Sequence, residues 1–171
     1  MQTLILLSHP NMANSKVNKA LKNAALECQN LNLSELYAKY PNEKIDVKAE
    51  QELLLNHEKI IFQFPVFWYA TPPLLKKYFD EVFSYGFAYG EKARALKGKE
   101  FGFCLSFGDA KQSFEKEGKV GFSVDEIITP FKAMSKFVGA KYGGYFAVFD
   151  AHELSQNELL QKGEQYKRFL I

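Results

Sequence analysis

A chain of 171 residues has the length of one domain, and its 47% hydrophobic content is ample for one core, so we expect a single domain over residues 1–171. The 22 basic and 20 acidic residues nearly balance and are dispersed along the chain, which argues against nucleic acid as a partner. Two cysteines provide neither a disulfide framework nor a four-ligand metal site. The chain has no signal peptide and no apolar run of about 18 residues, so we expect a cytoplasmic protein.

Short apolar runs alternate along the chain with longer stretches of helical period, in the order β-α repeated five times. Strands are expected at residues 3–8, 31–37, 59–64, 101–107 and 143–149. Helices are expected at residues 15–28, 47–57, 71–84 and 123–139 and from residue 155 onward. Strands that alternate with crossover helices predict an α/β fold with a doubly wound, five-stranded parallel sheet and helices on both faces.

Several helix starts carry local signals. Thr71 precedes two prolines, so we expect it to cap the helix that follows while proline occupies the first turn. The spacings of Ser123 to Glu126 and of Ser155 to Glu158 each predict a capping box. Pro130 is expected to kink the helix in which it lies.

In a doubly wound sheet, ligands bind beyond the carboxyl ends of the strands, so three loops matter: the first loop (8–15), the second loop (65–71) and the third loop (106–114). The first loop has no glycine and matches neither dinucleotide nor P-loop fingerprints. It offers His9, Ser15 and Asn18 around a helix start, which suits a terminal phosphate. The alternative is that Ser15 merely caps the helix and His9 is a turn residue.

The second loop places Phe67, Trp68 and Tyr69 directly after a buried strand. Such a cluster can stack on a flat ring, and its backbone amides can bond the polar edge of a flavin. The alternative is ordinary packing beneath the next helix. In the third loop, Gly108 allows a ligand to approach the backbone closely.

In these three loops and beyond them, the sequence resembles the NAD(P)H quinone reductase family of flavodoxin-like proteins. It is most similar to the short bacterial branch that includes the ancillary flavoprotein of glutathione-regulated potassium-efflux channels. The resemblance is nearly full-length and is densest in LYAKYPNEKIDVKAEQ, PVFWYATPPLLKKYFDEVFSYGFAYG and ALKGK.

The resemblance implies a flavin site built from all three loops, with no metal and with the flavin itself performing hydride transfer. The implied flavin-binding residues are His9, Ser15, Val17, Asn18, Pro65, Val66, Phe67, Trp68, Tyr69, Ser106, Phe107, Gly108 and Asp109. FMN is the expected cofactor, with FAD as the alternative, because the chain has no long C-terminal extension to hold an adenosine moiety.

Two residues of the third loop depart from the Thr-Thr-Gly-Gly that the family usually has there. These are Phe107 and Asp109. Aspartate tolerates the left-handed backbone, so the turn can survive. Its carboxylate would repel an anionic reduced flavin unless it points to solvent, so we expect a lower reduction potential than glycine would give.

The longer members of the family place a Tyr and a His where they stabilise charge during hydride transfer. The matching positions here are Phe114 and Val120, so that relay is expected to be absent. Since hydride transfer needs mainly proximity, its loss predicts a slower enzyme rather than an inactive one.

The resemblance also implies a reaction and partners. NADH or NADPH would reduce the flavin and leave, and a quinone-like acceptor would take its place in the same pocket. Members of the family are commonly homodimers, which would put Tyr69, Phe87 and Tyr89 at the interface edge. The same branch implies possible peripheral association with a membrane potassium-efflux protein.

Other functions remain open at this point. A one-electron flavodoxin carrier shares the fold, but such carriers are strongly acidic whereas this chain has a charge of +2. A regulatory subunit of a potassium-efflux antiporter is the main alternative. A serine hydrolase would need a G-x-S-x-G elbow, which the sequence lacks, and we expect His57 and His152 to be polar surface residues.

Overall fold

The computed structural model describes residues 2–171, and its centre is one parallel sheet of five strands. The strands are β1 (Thr3–Leu7), β2 (Leu31–Glu35), β3 (Lys59–Pro65), β4 (Glu100–Ser106) and β5 (Lys141–Val148). They lie side by side in the order β2-β1-β3-β4-β5, and every neighbouring pair is parallel. The predicted doubly wound sheet is therefore confirmed, with its topological switch point between β1 and β3.

Helices cover both faces of this sheet. They are α1 (Lys16–Leu26), α2 (Leu36–Lys39), α3 (Val47–Leu55), α4 (Pro73–Val82), α5 (Val124–Ile127), α6 (Thr129–Phe137) and α7 (Gln156–Leu170). Helices α1 and α7 pack on one face around the fully buried Tyr166. The remaining helices pack on the other face around an aromatic core that includes Phe62, Phe79 and Phe103. Every residue of β1 and β3 is buried, as their unbroken apolar runs predict.

Most of the predicted helix-start signals are confirmed. Both predicted capping boxes form: in each, the serine accepts from the glutamate N–H and the glutamate carboxylate accepts from the serine N–H. Ser15 caps α1 by accepting from the Asn18 N–H. Each such cap is worth about 1 kcal/mol, which stabilises helices that border the loops at the carboxyl edge of the sheet.

Three predictions about the elements need correction. The second strand ends at Glu35 rather than residue 37, because Leu36–Lys39 turns into a short helix that buries Leu36. Thr71 does not cap α4: Pro72 occupies the cap position, and the Leu74 N–H is bonded by the Tyr37 hydroxyl at 3.3 Å. The expected kink at Pro130 is a full break at Ile128, between α5 and α6.

His57 is also not the surface residue that the sequence suggested. It is 2% exposed, with Nδ1 2.7 Å from the Leu53 carbonyl oxygen and Nε2 2.8 Å from the Asn32 amide nitrogen. Since a carbonyl can only accept, Nδ1 carries the proton and Nε2 accepts from Asn32. His57 therefore joins the end of α3 to the edge strand β2, whereas His152 is exposed as expected.

Within residues 2–171, no helix combines the length and the apolar character that crossing a membrane requires.

Candidate functional site

A cavity of about 420 Å³ opens at the carboxyl edge of the sheet, where β1, β3 and β4 end; we call it the edge cavity. It brings together ten of the thirteen flavin-site residues expected from sequence, and the other three, Trp68, Tyr69 and Asp109, lie outside its lining. Its lining residues are His9, Asn11, Asn14, Ser15, Lys16, Val17, Asn18, Pro65, Val66, Phe67, Ser106, Phe107, Gly108, Ala151 and His152. One end is polar and basic, the other is apolar, and no carboxylate is among these lining residues.

The polar end is the first loop, where His9 has a defined tautomer. Its Nδ1 accepts a hydrogen bond from the Asn11 N–H at 3.0 Å, so in the neutral ring the proton is on Nε2. Burial lowers the pKa of His9 below its usual value of 6.5, so the neutral form dominates at neutral pH. His9 thus offers one N–H donor to an anion at the start of α1, and Lys16 is also among the lining residues.

The Asn18 side chain is part of the floor of the cavity rather than a free donor. It is 2% exposed, and its Nδ2 donates to Ser15 Oγ at 3.3 Å and to Ser106 Oγ at 3.1 Å. Its amide therefore ties the first loop to the third loop. The hydroxyls of Ser15 and Ser106, and not the Asn18 amide, are the groups available to a ligand.

Beneath Asn18 lies a buried polar side chain that the sequence reading missed. Gln63 Nε2 is 3.3 Å from the Asn18 carbonyl oxygen and 3.2 Å from Asn18 Oδ1, and its Oε1 accepts from the Tyr166 hydroxyl at 3.0 Å. A glutamine inside the apolar run IIFQF was the available signal, because a buried amide must find hydrogen-bond partners.

The second loop is a two-residue turn with unusual backbone angles. Phe67 and Ala70 exchange both backbone hydrogen bonds, at 3.0 and 2.9 Å. Trp68 and Tyr69 at the tip have φ values of 46° and 62°, a left-handed pair that type I′ turns normally fill with Asn or Gly. Strain of this kind concentrates at functional sites. Phe67 lines the edge cavity, whereas Trp68 extends into solvent with 94% of its surface exposed.

Phe107 is the first of the two third-loop residues that depart from the family pattern, and its packing explains its presence. The Phe107 ring is 3% exposed and stacks on Phe149 at 5.3 Å, with Phe114 at 4.6 Å from it. Phe107 therefore packs as core and closes the apolar side of the edge cavity. Phe114, the position matched to the tyrosine of the family relay, lies buried against the same rings and does not line the cavity.

Asp109, the second departure from the family pattern, does not line the cavity. Its carboxylate is 45% exposed and lies 3.2 Å from the Lys119 ammonium. The repulsion of a reduced flavin expected from the sequence applies only if this carboxylate does not point to solvent. The carboxylate does contact solvent, and the Lys119 charge offsets its charge further.

The turn at residues 150–152 is a fourth segment that contributes to the cavity lining. The sequence did not predict its place there. The Asp150 N–H donates to the Asp109 carbonyl at 3.1 Å and the Ala151 N–H donates to the Phe107 carbonyl at 3.0 Å. Lys16 Nζ donates to the His152 carbonyl at 3.0 Å. Asp150 has a left-handed backbone, with φ of 52°, and this conformation sets the turn. The sequence of the chain carries no signal that predicted the turn.

Beside the second loop lies an apolar groove of about 400 Å³ between α4 and α6; we call it the aromatic groove. Tyr69 forms one end of it, and Phe79, Phe131 and Met134 form its floor. Large apolar side chains around it are exposed: Trp68 94%, Tyr85 74%, Phe137 73%, Tyr69 51% and Tyr89 41%. An exposed aromatic face of this size is typical of an interaction surface.

A known family and known proteins resemble this chain over nearly its whole length. A family described as having a flavodoxin-like fold matches residues 1–170. The uncharacterized NAD(P)H oxidoreductase YdeQ of Bacillus subtilis is 41% identical over 170 residues, which cover 99% of this chain and 86% of the relative. The glutathione-regulated potassium-efflux system ancillary protein KefG of Cronobacter sakazakii is 33% identical over 99% of this chain and 92% of its own length.

Solved structures agree on the fold. General stress protein 14 of Treponema denticola, in complex with FMN, has a TM-score of 0.95 and 39% identity, covering 99% of this chain and 98% of that one. An NADPH-quinone reductase from P. pentosaceus has a TM-score of 0.92 and 32% identity, covering 100% and 98%. A structure described as a thermophilic tryptophan halogenase from Streptomycin violaceusniger has a TM-score of 0.96 and 39% identity, covering 98% of each chain.

Proposed function

Because this chain belongs to the flavodoxin-like fold family, with a match over residues 1–170, we propose that it is an FMN-dependent NAD(P)H:quinone oxidoreductase. The observation that carries the proposal is the two-part chemistry of the edge cavity: hydroxyl and imidazole donors at a helix start, next to an apolar region walled by Val66, Phe67 and Phe107. A flavin mononucleotide has the matching parts, an anionic phosphate and a flat ring.

The residues present fit this cofactor. Ser15, the Nε2–H of His9 and the amino end of α1 would hold the phosphate, while the second and third loops would hold the ring. When bound, FMN supplies the ability to accept a hydride and to pass two electrons on. The side chains of the cavity orient the ring and exclude water from it, and none is assigned as a catalytic acid or base.

The proposed exchange has two half-reactions in one pocket. NADH or NADPH would bind over the ring, give up a hydride and leave; a quinone-like acceptor would then bind in its place and take two electrons and two protons, one of those protons coming from solvent. YdeQ and the P. pentosaceus protein support this reaction class through their names. The phenylalanine at position 114 provides no titratable group, so we expect water or backbone N–H groups to stabilise charge during the transfer.

We propose that a second copy of this chain covers the aromatic groove. The groove adjoins the second loop through Tyr69, so a partner there would also wall the ring end of the edge cavity. Tyr85, Tyr89 and Phe137 would be buried by such a homodimer. Phe87, which was expected at the interface edge, is half-buried against the core in the single chain. A cytosolic location stays a prediction.

The proposal is tested by steady-state kinetics with a soluble quinone. An exchange of two substrates in one pocket gives parallel lines in double-reciprocal plots at several fixed NADPH concentrations. The matched variant is Ser15→Asp, which keeps the helix cap but places a carboxylate where the phosphate would bind. We expect it to lose FMN and quinone reduction together. Intersecting lines, or full activity in the variant, would contradict the proposal.

FAD is the alternative cofactor. A second groove, lined by Asn14, Lys19 and Asn23 among others, continues from the polar end of the edge cavity between α1 and the start of α7. It could accept an adenosine moiety. Flavin released from the purified protein and identified by mass distinguishes FMN from FAD.

A second candidate function is that of a regulatory subunit on a potassium-efflux antiporter. The similarity to KefG, and the 34% identity over 98% of this chain to KefF of Salmonella typhimurium, favour it. The two roles can coexist in one protein. Co-purification with an antiporter from detergent-solubilised membranes would support the regulatory role, and recovery of all the protein without it would oppose that role.

A further inference from the structure

We propose that Tyr166 and Gln63 are positioning residues for the cofactor phosphate: through Asn18 they fix the Ser15 hydroxyl so that it can only donate into the edge cavity. The proposal rests on the proposed flavin site and deepens it. Gln63 and Tyr166 are fully buried and do not line the cavity, and their side chains connect to Ser15 through this chain of hydrogen bonds.

The orientation of the Gln63 amide is set at both of its ends, by the Asn18 backbone carbonyl and by the Tyr166 hydroxyl. The carbonyl oxygen can only accept, and it lies 3.3 Å from the Gln63 amide, so the NH₂ of Gln63 must face it. The oxygen of Gln63 must then face Tyr166, whose hydroxyl donates at 3.0 Å. Burial raises the pKa of Tyr166 well above its usual value, so this donor keeps its proton.

The next step fixes the Asn18 side chain. The second N–H of Gln63 points at it from 3.2 Å, so the Asn18 oxygen must lie on that side. Its NH₂ group is thereby directed at the two serine hydroxyls, at 3.3 Å to Ser15 and 3.1 Å to Ser106. If Gln63 could rotate its amide by a half-turn, the Asn18 amide could also turn, and the serines would then face an acceptor instead.

Ser15 is where the chain reaches the ligand. Its Oγ accepts from the Asn18 N–H at 3.2 Å and from Asn18 Nδ2 at 3.3 Å, so both of its lone pairs are used. The only remaining capacity is its O–H, which suits an anion in the cavity. Ser106 accepts one bond and keeps a lone pair, so the network leaves its hydroxyl free to donate or to accept.

Because the network fixes the Ser15 hydroxyl as a donor to the phosphate, its effect can be measured as the ratio of FMN affinity to riboflavin affinity. Riboflavin lacks the phosphate, so a change confined to the Ser15 donor lowers affinity for FMN alone. A general loss of packing would weaken both flavins equally, and the ratio would not move. The ratio therefore separates a positioning role from a structural one.

The experiment uses the full chain freed of flavin, with dissociation constants for FMN and riboflavin measured by fluorescence quenching. The variants are Tyr166→Phe, which removes one oxygen, and Gln63→Met, which keeps the volume but removes the amide. The control is Tyr78→Phe, the same change at a tyrosine that is also fully buried but packs on the opposite face of the sheet. Tyr166→Phe carries the test if Gln63→Met does not fold.

We expect the FMN to riboflavin affinity ratio to fall by about tenfold in the two variants, the size of one hydrogen bond to a charged group. In Tyr78→Phe the ratio should stay at the wild-type value. An unchanged ratio in Tyr166→Phe would overturn the positioning role while leaving the flavin site intact. A wild-type chain that binds neither flavin would instead overturn the proposed function, and this inference with it.

Discussion

The Asp109 carboxylate lies 3.2 Å from the Lys119 ammonium, and this ion pair joins the start of the third loop to the segment that follows it. The pair lies outside the lining of the edge cavity, and both of its charges are in contact with solvent. The net field at the ring is therefore smaller than the aspartate alone would produce.

The first prediction concerns the reduction potential of the bound flavin. Asp109→Gly should raise the midpoint potential and Lys119→Met should lower it, because each leaves the opposite charge uncompensated. Exposed pairs are worth about 0–1 kcal/mol, so each shift should stay below about 20 mV for a two-electron couple. Anaerobic titration against reference dyes measures it. A shift above about 60 mV in Asp109→Gly would mean that the carboxylate acts directly on the flavin.

The second prediction concerns strain in the second loop. Trp68 has a φ of 46° and is 94% exposed, so replacing it removes little buried surface. Trp68→Gly should be more stable to urea than Trp68→Ala by about 1 kcal/mol, the reverse of the usual order, because only glycine adopts this backbone without strain. Equal unfolding free energies for the two variants would argue against a strained turn in solution.

The third prediction concerns pH. The pKa of His9 is lowered from 6.5 in the folded chain, so the unfolded chain takes up its proton first as the pH falls. The contribution of His9 to stability is therefore complete above pH 6.5 and declines as the pH drops through the folded pKa below it. In flavin-free protein, His9→Asn should lose this part of the pH dependence, since asparagine can still accept from Asn11. Superimposable stability profiles for the two proteins would contradict it.

The fourth prediction concerns the homodimer. Phe137 is 73% exposed on α6 beside the aromatic groove, so Phe137→Glu should leave the single chain folded but place a charge in the proposed interface. The matched control is Leu160→Glu, at a residue 61% exposed on α7, on the other face of the sheet. Light scattering at micromolar concentration should show a monomer for the first variant and a dimer for the second. A monomeric wild-type protein would exclude the interface.

The fifth prediction concerns a buried carboxylate far from the cavity. Glu50 is fully buried, and its Oε1 lies 2.6 Å from both the Tyr40 hydroxyl and the Lys39 ammonium. Tyr40→Phe should lower the free energy of unfolding by about 1 to 3 kcal/mol, because the carboxylate loses a donor that water cannot replace. The control Tyr85→Phe, at a 74% exposed residue, should change it by less than about 0.5 kcal/mol. Similar losses in both variants would contradict the argument.

Features encoded by neighbouring residues could be predicted from the sequence. The capping boxes at Ser123 and Ser155 each depend on a glutamate three residues away, and both form. The alternation of buried strands with amphipathic helices similarly predicts the doubly wound sheet, and the three loops at its carboxyl edge follow from topology alone.

Features that depend on distant partners could not be predicted. The buried His57 has Asn32, on the edge strand, as a hydrogen-bond partner, and nothing within residues 53–57 reveals that contact. Trp68 and Tyr69 have left-handed backbones at positions that Asn or Gly normally fills. The backbone hydrogen bonds between Phe67 and Ala70 hold this turn in place. The orientation of the Asn18 amide likewise depends on Gln63, which follows it by 45 positions.

The central claim is that the edge cavity holds a flavin that NAD(P)H reduces. The most direct measurement is to purify the protein, release and identify its chromophore by mass, reload it with that flavin, and follow flavin absorbance without oxygen after adding NADH or NADPH. We predict that the released flavin is FMN and that at least one nucleotide bleaches it with one equivalent per flavin. A chain that binds neither FMN nor FAD, or a bound flavin that neither nucleotide reduces, would contradict the account.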